Sequence, residues 1–297
     1  MGRTAIHAPA EKNRVVRRTV RLARRPLAGR RVYQSSAPPP LEDWGTIARL
    51  YDVEHPACRG AELTFWHQEA TAGGGDVLEL AAGTGRIAIA IARKGHHVTG
   101  LERSPGMLER AQARTARRRA LVADRLEWVA GDMATFELPG RHFGLIFVAY
   151  NSFWLLDGEA AQASCLRAAA RHLLPGGRLV LDVFPPTGDD RQDETGIAQR
   201  LPLPVRGQTV LRIKDYSYDP ARDAGASDVR YYAADPDTGE PAGLLAQFRY
   251  SLFLAQPEQV QALLEREGYV VEATYGTYGR DALTPDSPRA IFVARRP

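Results

Sequence analysis

The chain has 297 residues, 44% hydrophobic and 25% charged, which is enough for one large domain with an insertion or two small ones. No apolar run approaches the ~20 residues of a membrane-spanning helix, and two cysteines, Cys58 and Cys165, are too few for a disulfide framework and lack metal-ligand spacing, which points to a reducing, cytoplasmic setting. The net charge of +4 comes from the first 40 residues, where ten basic residues face Glu11 alone; the other 257 carry a net −5, so neither a nucleic-acid nor a membrane partner is expected.

In chain order, residues 1–40 read as a basic, disordered extension. They have little periodic apolar content and end in "SSAPPP". Two helix-compatible stretches, "LEDWGTIARLYDVEH" and "AELTFWHQEA", form an N-terminal cap over residues 41–73, closed by the breaker "TAGGG". From Asp76 apolar strands alternate with helical stretches, the pattern of βαβ units around a parallel sheet. The strands are Val77–Leu80, "HVTGL" ending at Glu102, "LEWVA", "GLIFVAY" and "RLVLDVF". Ser104 and Pro105 open a helix as cap and first residue. After Phe184 the pattern changes. Residues 185–208 read as irregular, and three β-like stretches follow, Thr209–Tyr218, Asp228–Ala234 and Leu244–Leu254, separated by "DPARDAG" and "DPDTGE". A helix over Pro257–Glu267 and the strands "YVVEATY" and "RAIFVAR" end the chain.

The stretch "LELAAGTGR", Leu78 to Arg86, admits two readings. From Gly83 it fits the G-x-G-x-x-G/A turn of a dinucleotide-binding dehydrogenase. From Glu79 it fits the acidic-x-G-x-G-x-G turn of an S-adenosylmethionine (SAM) methyltransferase, with Ala81 at the first glycine position and Gly83 and Gly85 at the others. Glu102 ends the second strand about twenty residues on, where a carboxylate receives ribose hydroxyls in either family. Gly131-Asp132-Met133 follows the third strand, "AYNSFW" (Ala149–Trp154) the fourth, "LLPGG" precedes the fifth, and "SPRAIFVAR" ends the chain.

Taken together, residues 74–184 and 255–297 resemble a class I SAM-dependent methyltransferase of the small-molecule branch, with residues 185–254 as a β-rich lid. The resemblance implies an α/β, Rossmann-like seven-stranded sheet, mainly parallel with an antiparallel last strand, plus a three-stranded antiparallel lid insertion. It implies SAM as cofactor, held by Tyr51, Glu79, Ala81, Gly83, Gly85, Glu102, Arg103, Met107, Asp132, Met133 and Ala149. Glu79 would suit the ammonium of SAM and repel a pyrophosphate. Asp132 would take the adenine amine and Met133 the ring.

The implied reaction is methyl transfer to a nitrogen or oxygen of a small hydrophobic or aromatic molecule, in natural-product biosynthesis. Tyr51, from the "YD" pair, would cap the site. The period-two apolar face of Leu244–Leu254 includes Phe248 and Tyr250, which with Trp66, Tyr150, Asn151 and Phe153 would form the acceptor pocket; the same aromatics could instead glue the lid down or make a homodimer contact. Candidate catalytic residues are His55, Tyr51 and Asn151. Asp132 and Asp182 lack a third ligand, so no metal is expected. The rival readings are an NAD(P)-dependent oxidoreductase and an inactive SAM-binding partner or regulator.

Overall fold

The structure, a computed structural model, describes residues 44–55, 57–202 and 209–296. The reading of residues 1–40 as a disordered extension lies outside them. Two helices, α1 (Trp44–Glu54) and α2 (Gly60–Gly73), precede the sheet. The alternating region then runs β1 (Val77–Leu80), α3 (Arg86–Ala92), β2 (Val98–Glu102), α4 (Pro105–Ala116), the single turn α5 (Ala120–Ala123), β3 (Leu126–Ala130), β4 (Phe143–Val148), α6 (Glu159–His172) and β5 (Leu173–Val183). The lid strands are β6 (Glu194–Pro202), β7 (Thr209–Asp219), β8 (Ala224–Ala234) and β9 (Pro241–Phe253); α7 (Pro257–Arg266), β10 (Val270–Tyr275) and β11 (Ala290–Arg295) complete the fold.

The large sheet has the order β10-β11-β5-β4-β1-β2-β3. β3, β2, β1, β4 and β5 are parallel, and β11 runs antiparallel to both neighbours. β1, β2 and β4 are buried along their whole length, as continuous apolar strands covered by helices on both faces must be. The chain moves outward from β1 through β2 and β3, then returns to the other side of β1 as β4. This reversal opens a crevice at the carboxyl ends of β1 and β4, the usual ligand position in open α/β sheets.

The lid is a second sheet, all antiparallel, in the order β6-β7-β8-β9. It has four strands where the sequence suggested three. The added strand, β6, pairs only with β7, and its "ETGIAQRLP" carries a glycine, a terminal proline and mostly polar residues. An edge strand needs neither a clean apolar alternation nor every N–H, so its sequence looks irregular. The inner face of the lid meets α1: Ile47 and Ala48 pack with Val210, Val229, Tyr231, Ala246 and Phe248.

Candidate active site

A cavity of about 650 Å³ opens at the β1/β4 crevice. One wall is formed by the loops after β1, β2, β3 and β4, the other by α1 and the lid. Of the residues expected at the cofactor, Tyr51, Ala81, Gly83, Glu102, Arg103, Met107, Asp132 and Met133 line it.

Gly83 and Gly85 owe their identity to different constraints. Both have left-handed φ, +56° and +74°. A Cβ on Gly83 would meet nothing within 4 Å, whereas one on Gly85 would come within 2.3 Å of the Trp128 ring. Gly83 therefore keeps backbone exposed to the cavity, and Gly85 lets α3 approach β3. Ala81 takes φ 53° without being glycine.

Glu102 ends β2 with both carboxylate oxygens anchored. Oε2 accepts from Gly83 N–H at 2.8 Å and Oε1 from Ser104 N–H at 2.7 Å. Burial pushes its pKa up, and those N–H groups pull it back. Asp132 is half exposed; its Oδ1 accepts from Ala134 N–H at 2.8 Å, and Arg103 stands 3.7 Å from Oδ2.

Glu79 does not line the cavity. Its Oε2 accepts the Ala88 N–H at 2.8 Å, inside the first turn of α3, and burial pushes its pKa up to about 8. That oxygen is committed to a helix N-terminus, behind the glycine turn. Ala149 is likewise buried beneath the cavity.

α1 spans both walls. Asp52 accepts from Thr84 Oγ1 at 2.6 Å, Arg110 Nε at 2.8 Å and Arg114 Nη1 at 2.7 Å, which fastens the helix to the glycine turn and α4. Its neighbours Tyr51 and His55 line the cavity, with ring centroids 4.1 Å apart. His55 Nδ1 lies 3.2 Å from the Tyr150 hydroxyl. Burial lowers the His55 pKa to about 4, so the imidazole is neutral at pH 7. Burial also raises the Tyr51 and Tyr150 phenols.

Tyr150 and Asn151 follow β4 with φ of 56° and 69°, a costly conformation for two consecutive non-glycine residues. Asp182, fully buried at the end of β5, holds them there. Its Oδ2 accepts from Tyr150 N–H at 3.0 Å and Tyr278 Oη at 2.7 Å, its carbonyl accepts from Asn151 N–H at 3.0 Å, and Arg289 pairs with Oδ1. The Tyr150 ring lies between the guanidiniums of Arg86 and Arg289, at 5.1 and 5.2 Å. Asn151 Oδ1 accepts from Phe184 N–H at 2.8 Å, so its amide oxygen is already committed.

The expected acceptor residues divide. Tyr150, Asn151 and Tyr250 line the cavity. Trp66 is buried against Phe147, with rings 4.4 Å apart, and Phe153 lies in the sheet core. Phe248 packs on Trp44 at 5.0 Å, within the lid–α1 core. Trp44, Glu54, Leu155, Arg212 and Leu252 line the cavity without having been singled out from the sequence. A hydrophobic face predicts which residues turn inward, but not which of them face the hole.

Comparison with known proteins bears on what the crevice holds. Residues 77–177 match the methyltransferase domain family. The chain superposes on the CcbJ methyltransferase of Streptomyces caelestis with a TM-score of 0.69 and 25% identity, covering 86% of this chain and 98% of that one. It also superposes on the glycopeptide N-methyltransferase MtfA solved with SAM, with a TM-score of 0.54 and 25% identity over 85% of this chain and 96% of that one. The matched domain and the fold are those of the class I SAM-dependent methyltransferases. A further relative of this methyltransferase is the dTDP-3-amino-3,6-dideoxy-alpha-D-glucopyranose N,N-dimethyltransferase of Streptomyces fradiae, 29% identical over 69% of this chain and 77% of that protein. SAM is the cofactor, and the open backbone at Gly83 beside the anchored Glu102 fits it.

Proposed function

We propose that this methyltransferase transfers the methyl group of SAM to an amine of a small molecule in natural-product biosynthesis. The observation that carries the reading is the single cavity joining the loops after β1, β2 and β3 to the α1–lid wall, with a neutral imidazole and two protonated phenols at the junction. The N-methyltransferase names of the relatives support nitrogen over oxygen.

Glu102 receives the ribose hydroxyls, since Gly83 and Ser104 already fix its oxygens. Asp132 receives the adenine amine, and Met133 and Met107 pack against the cofactor. Tyr51, carried by α1, covers the methionine part of SAM. SAM supplies an electrophilic methyl on a sulfonium, so a neutral amine needs alignment and exclusion of water more than a strong base. His55 is suited to that task. With a pKa near 4 it accepts a hydrogen bond from an amine N–H without protonating the amine. The Tyr150 hydroxyl orients its ring, and Asp182, through the Tyr150 and Asn151 backbone, positions both. Asn151 shapes the floor.

The acceptor is taken as a small molecule because the body of the chain is net negative, which disfavours nucleic acid. Two free, buried cysteines suit a cytoplasmic setting. The test is incubation with SAM and paired acceptors, small aminosugars and aminoacyl peptides beside the matching alcohols. The expected result is a 14 Da gain on nitrogen with release of S-adenosylhomocysteine (SAH). Methylation confined to the alcohols would overturn the reading.

A further inference from the structure

Arg86 is the first residue of α3 and directly follows Gly85 of the glycine turn. It is no surface group, being 9% exposed. Its Nη1 and Nη2 donate to the two carboxylate oxygens of Glu62 on α2, at 2.8 and 2.7 Å. This planar two-point grip fixes where the guanidinium lies. It lies against the Tyr150 ring, 5.1 Å from the centroid, with Arg289 at 5.2 Å. Two ion pairs, Arg86 with Glu62 and Arg289 with Asp182, thus converge on one phenol. Well-packed hydrocarbon in place of a buried ion pair is often as stable or more so. Stability alone therefore does not account for the arrangement.

Tyr150 is a ring that needs holding. The φ of 56° and 69° at Tyr150 and Asn151 is the kind of conformation that persists only where the surroundings over-determine it. Asp182 accepts from the Tyr150 N–H at 3.0 Å, but a bond to the backbone leaves the side-chain torsions free. The hydroxyl has to stay 3.2 Å from His55 Nδ1, and a change of rotamer would carry it away. His55 is neutral at pH 7, so one ring nitrogen carries a proton and the other a lone pair. The hydrogen bond that Nδ1 makes decides which is which. A line of contacts therefore runs from the glycine turn through Arg86 and Tyr150 to His55.

We propose that Arg86 is a positioning residue for methyl transfer: from the end of the glycine turn its guanidinium holds the Tyr150 ring, so that the phenol keeps His55 in one tautomer. The proposal rests on reading His55 as the residue that meets the acceptor amine. Arg86 stands outside the cavity lining and acts through Tyr150. The side chain that follows the glycine turn thereby joins the cofactor half of the site to the acceptor half.

The first test needs no knowledge of the acceptor. The SAH-loaded full chain, labelled with 15N-histidine, reports the tautomer through the ring-nitrogen shifts of His55, assigned by their loss in His55→Gln. Wild type should show one tautomer at pH 7. Arg86→Met should show both, each at about a tenth or more of the population. Tyr150→Phe keeps the ring and removes the hydroxyl, and should show the same mixture. The double variant Arg86→Met/Tyr150→Phe should show no greater change, because the two residues act in series. SAH affinity, expected within about threefold of wild type, reports folding. If Arg86→Met unfolds because Glu62 loses its partner, Arg86→Met/Glu62→Met removes the pair together and must give the same mixture. An Arg86 that only joins α3 to α2 would leave His55 in one tautomer in every Arg86 variant. That result, or a wild type that already holds both tautomers, overturns the proposal.

The second test is kinetic, on whichever of the paired amines and alcohols is methylated. Arg86→Met should lower kcat about tenfold or more with KM for SAM within about threefold. In a Tyr150→Phe background the same substitution should cost less than about twofold. Equal losses in the two backgrounds would sink the inference. Methylation confined to the alcohols would remove the amine reading instead, while the tautomer measurement still decides the role of Arg86.

Discussion

The sheet side and the lid side of the cavity hold their charged groups in contrasting ways. On the sheet side carboxylates are fixed by nearby backbone: Glu102 by the N–H groups of Gly83 and Ser104, Asp132 by that of Ala134. On the lid side Glu54 is held by Arg212 and Tyr231, side chains from distant strands. A carboxylate oriented by backbone at the end of a parallel strand is preorganised whether or not ligand is present. A pair made of long side chains across two layers depends on the docking of α1 and the lid. The cofactor half is therefore expected to tolerate changes in the lid, and the acceptor half to fail when the lid packing fails.

The strongest way to break this comparison is at Phe248, 2% exposed and packed on Trp44. Phe248→Ala should cost about 3–5 kcal/mol of stability, seen as a large fall in melting temperature. Tyr250→Ala, at the cavity wall, should retain most of the stability and lose acceptor turnover. A Phe248→Ala protein that melts normally and fails only in turnover would make the lid aromatics a pocket rather than a joint.

A smaller effect is expected at Asp52, which joins the two halves through Thr84, Arg110 and Arg114. Removing hydrogen bonds to a charged group costs ~1.5–3 kcal/mol, so Asp52→Ala should weaken SAH roughly ten- to a hundredfold by calorimetry as α1 loosens over the glycine turn. Unchanged SAH affinity would mean that the turn holds its shape without α1.

Two further effects are in pH. Burial raises Glu79 to about 8, above its ordinary 4.5, so the folded state binds the extra proton and its contribution to stability is lost as pH rises through that window. His55 is depressed from 6.5 to about 4, so its contribution is lost as pH falls through that window. The slopes oppose one another. Glu79→Gln should flatten the decline in urea midpoint between pH 5 and 8, and His55→Gln the decline between pH 6.5 and 4. A wild-type slope persisting in either variant would place the titrating group elsewhere.

How much of this was legible follows the same division. The strands in chain order and the cavity positions of Gly83, Glu102, Asp132 and Tyr51 were readable, because each is a local feature: a strand end, a turn, a helix. Gly85 was placed correctly in the turn, but the reason for it is Trp128, 43 residues on. Glu79 was expected at the ligand ammonium; its carboxyl instead turns under α3, a difference of side-chain direction that spacing does not encode. Phe248 and Tyr250 share one face of β9 and both pack on Trp44, at 5.0 and 5.3 Å; that the first is closed into the lid–α1 core while the second reaches the cavity is not encoded by the alternation. Glu54 and Arg212 were not singled out, since nothing local announces a pairing between α1 and a lid strand. β6 escaped because an edge strand has little pattern to show.

The most direct measurement of the central claim, that this cavity seats SAM against Glu102 with the acceptor on the lid side, is calorimetric titration of SAH into the wild type, Glu102→Ala and Tyr250→Ala. The expected result is one-to-one binding to the wild type, weakened about ten- to a hundredfold in Glu102→Ala from the loss of ~1.5–3 kcal/mol, and within about twofold of wild type in Tyr250→Ala. Undiminished binding by Glu102→Ala, or a loss confined to Tyr250→Ala, would contradict it.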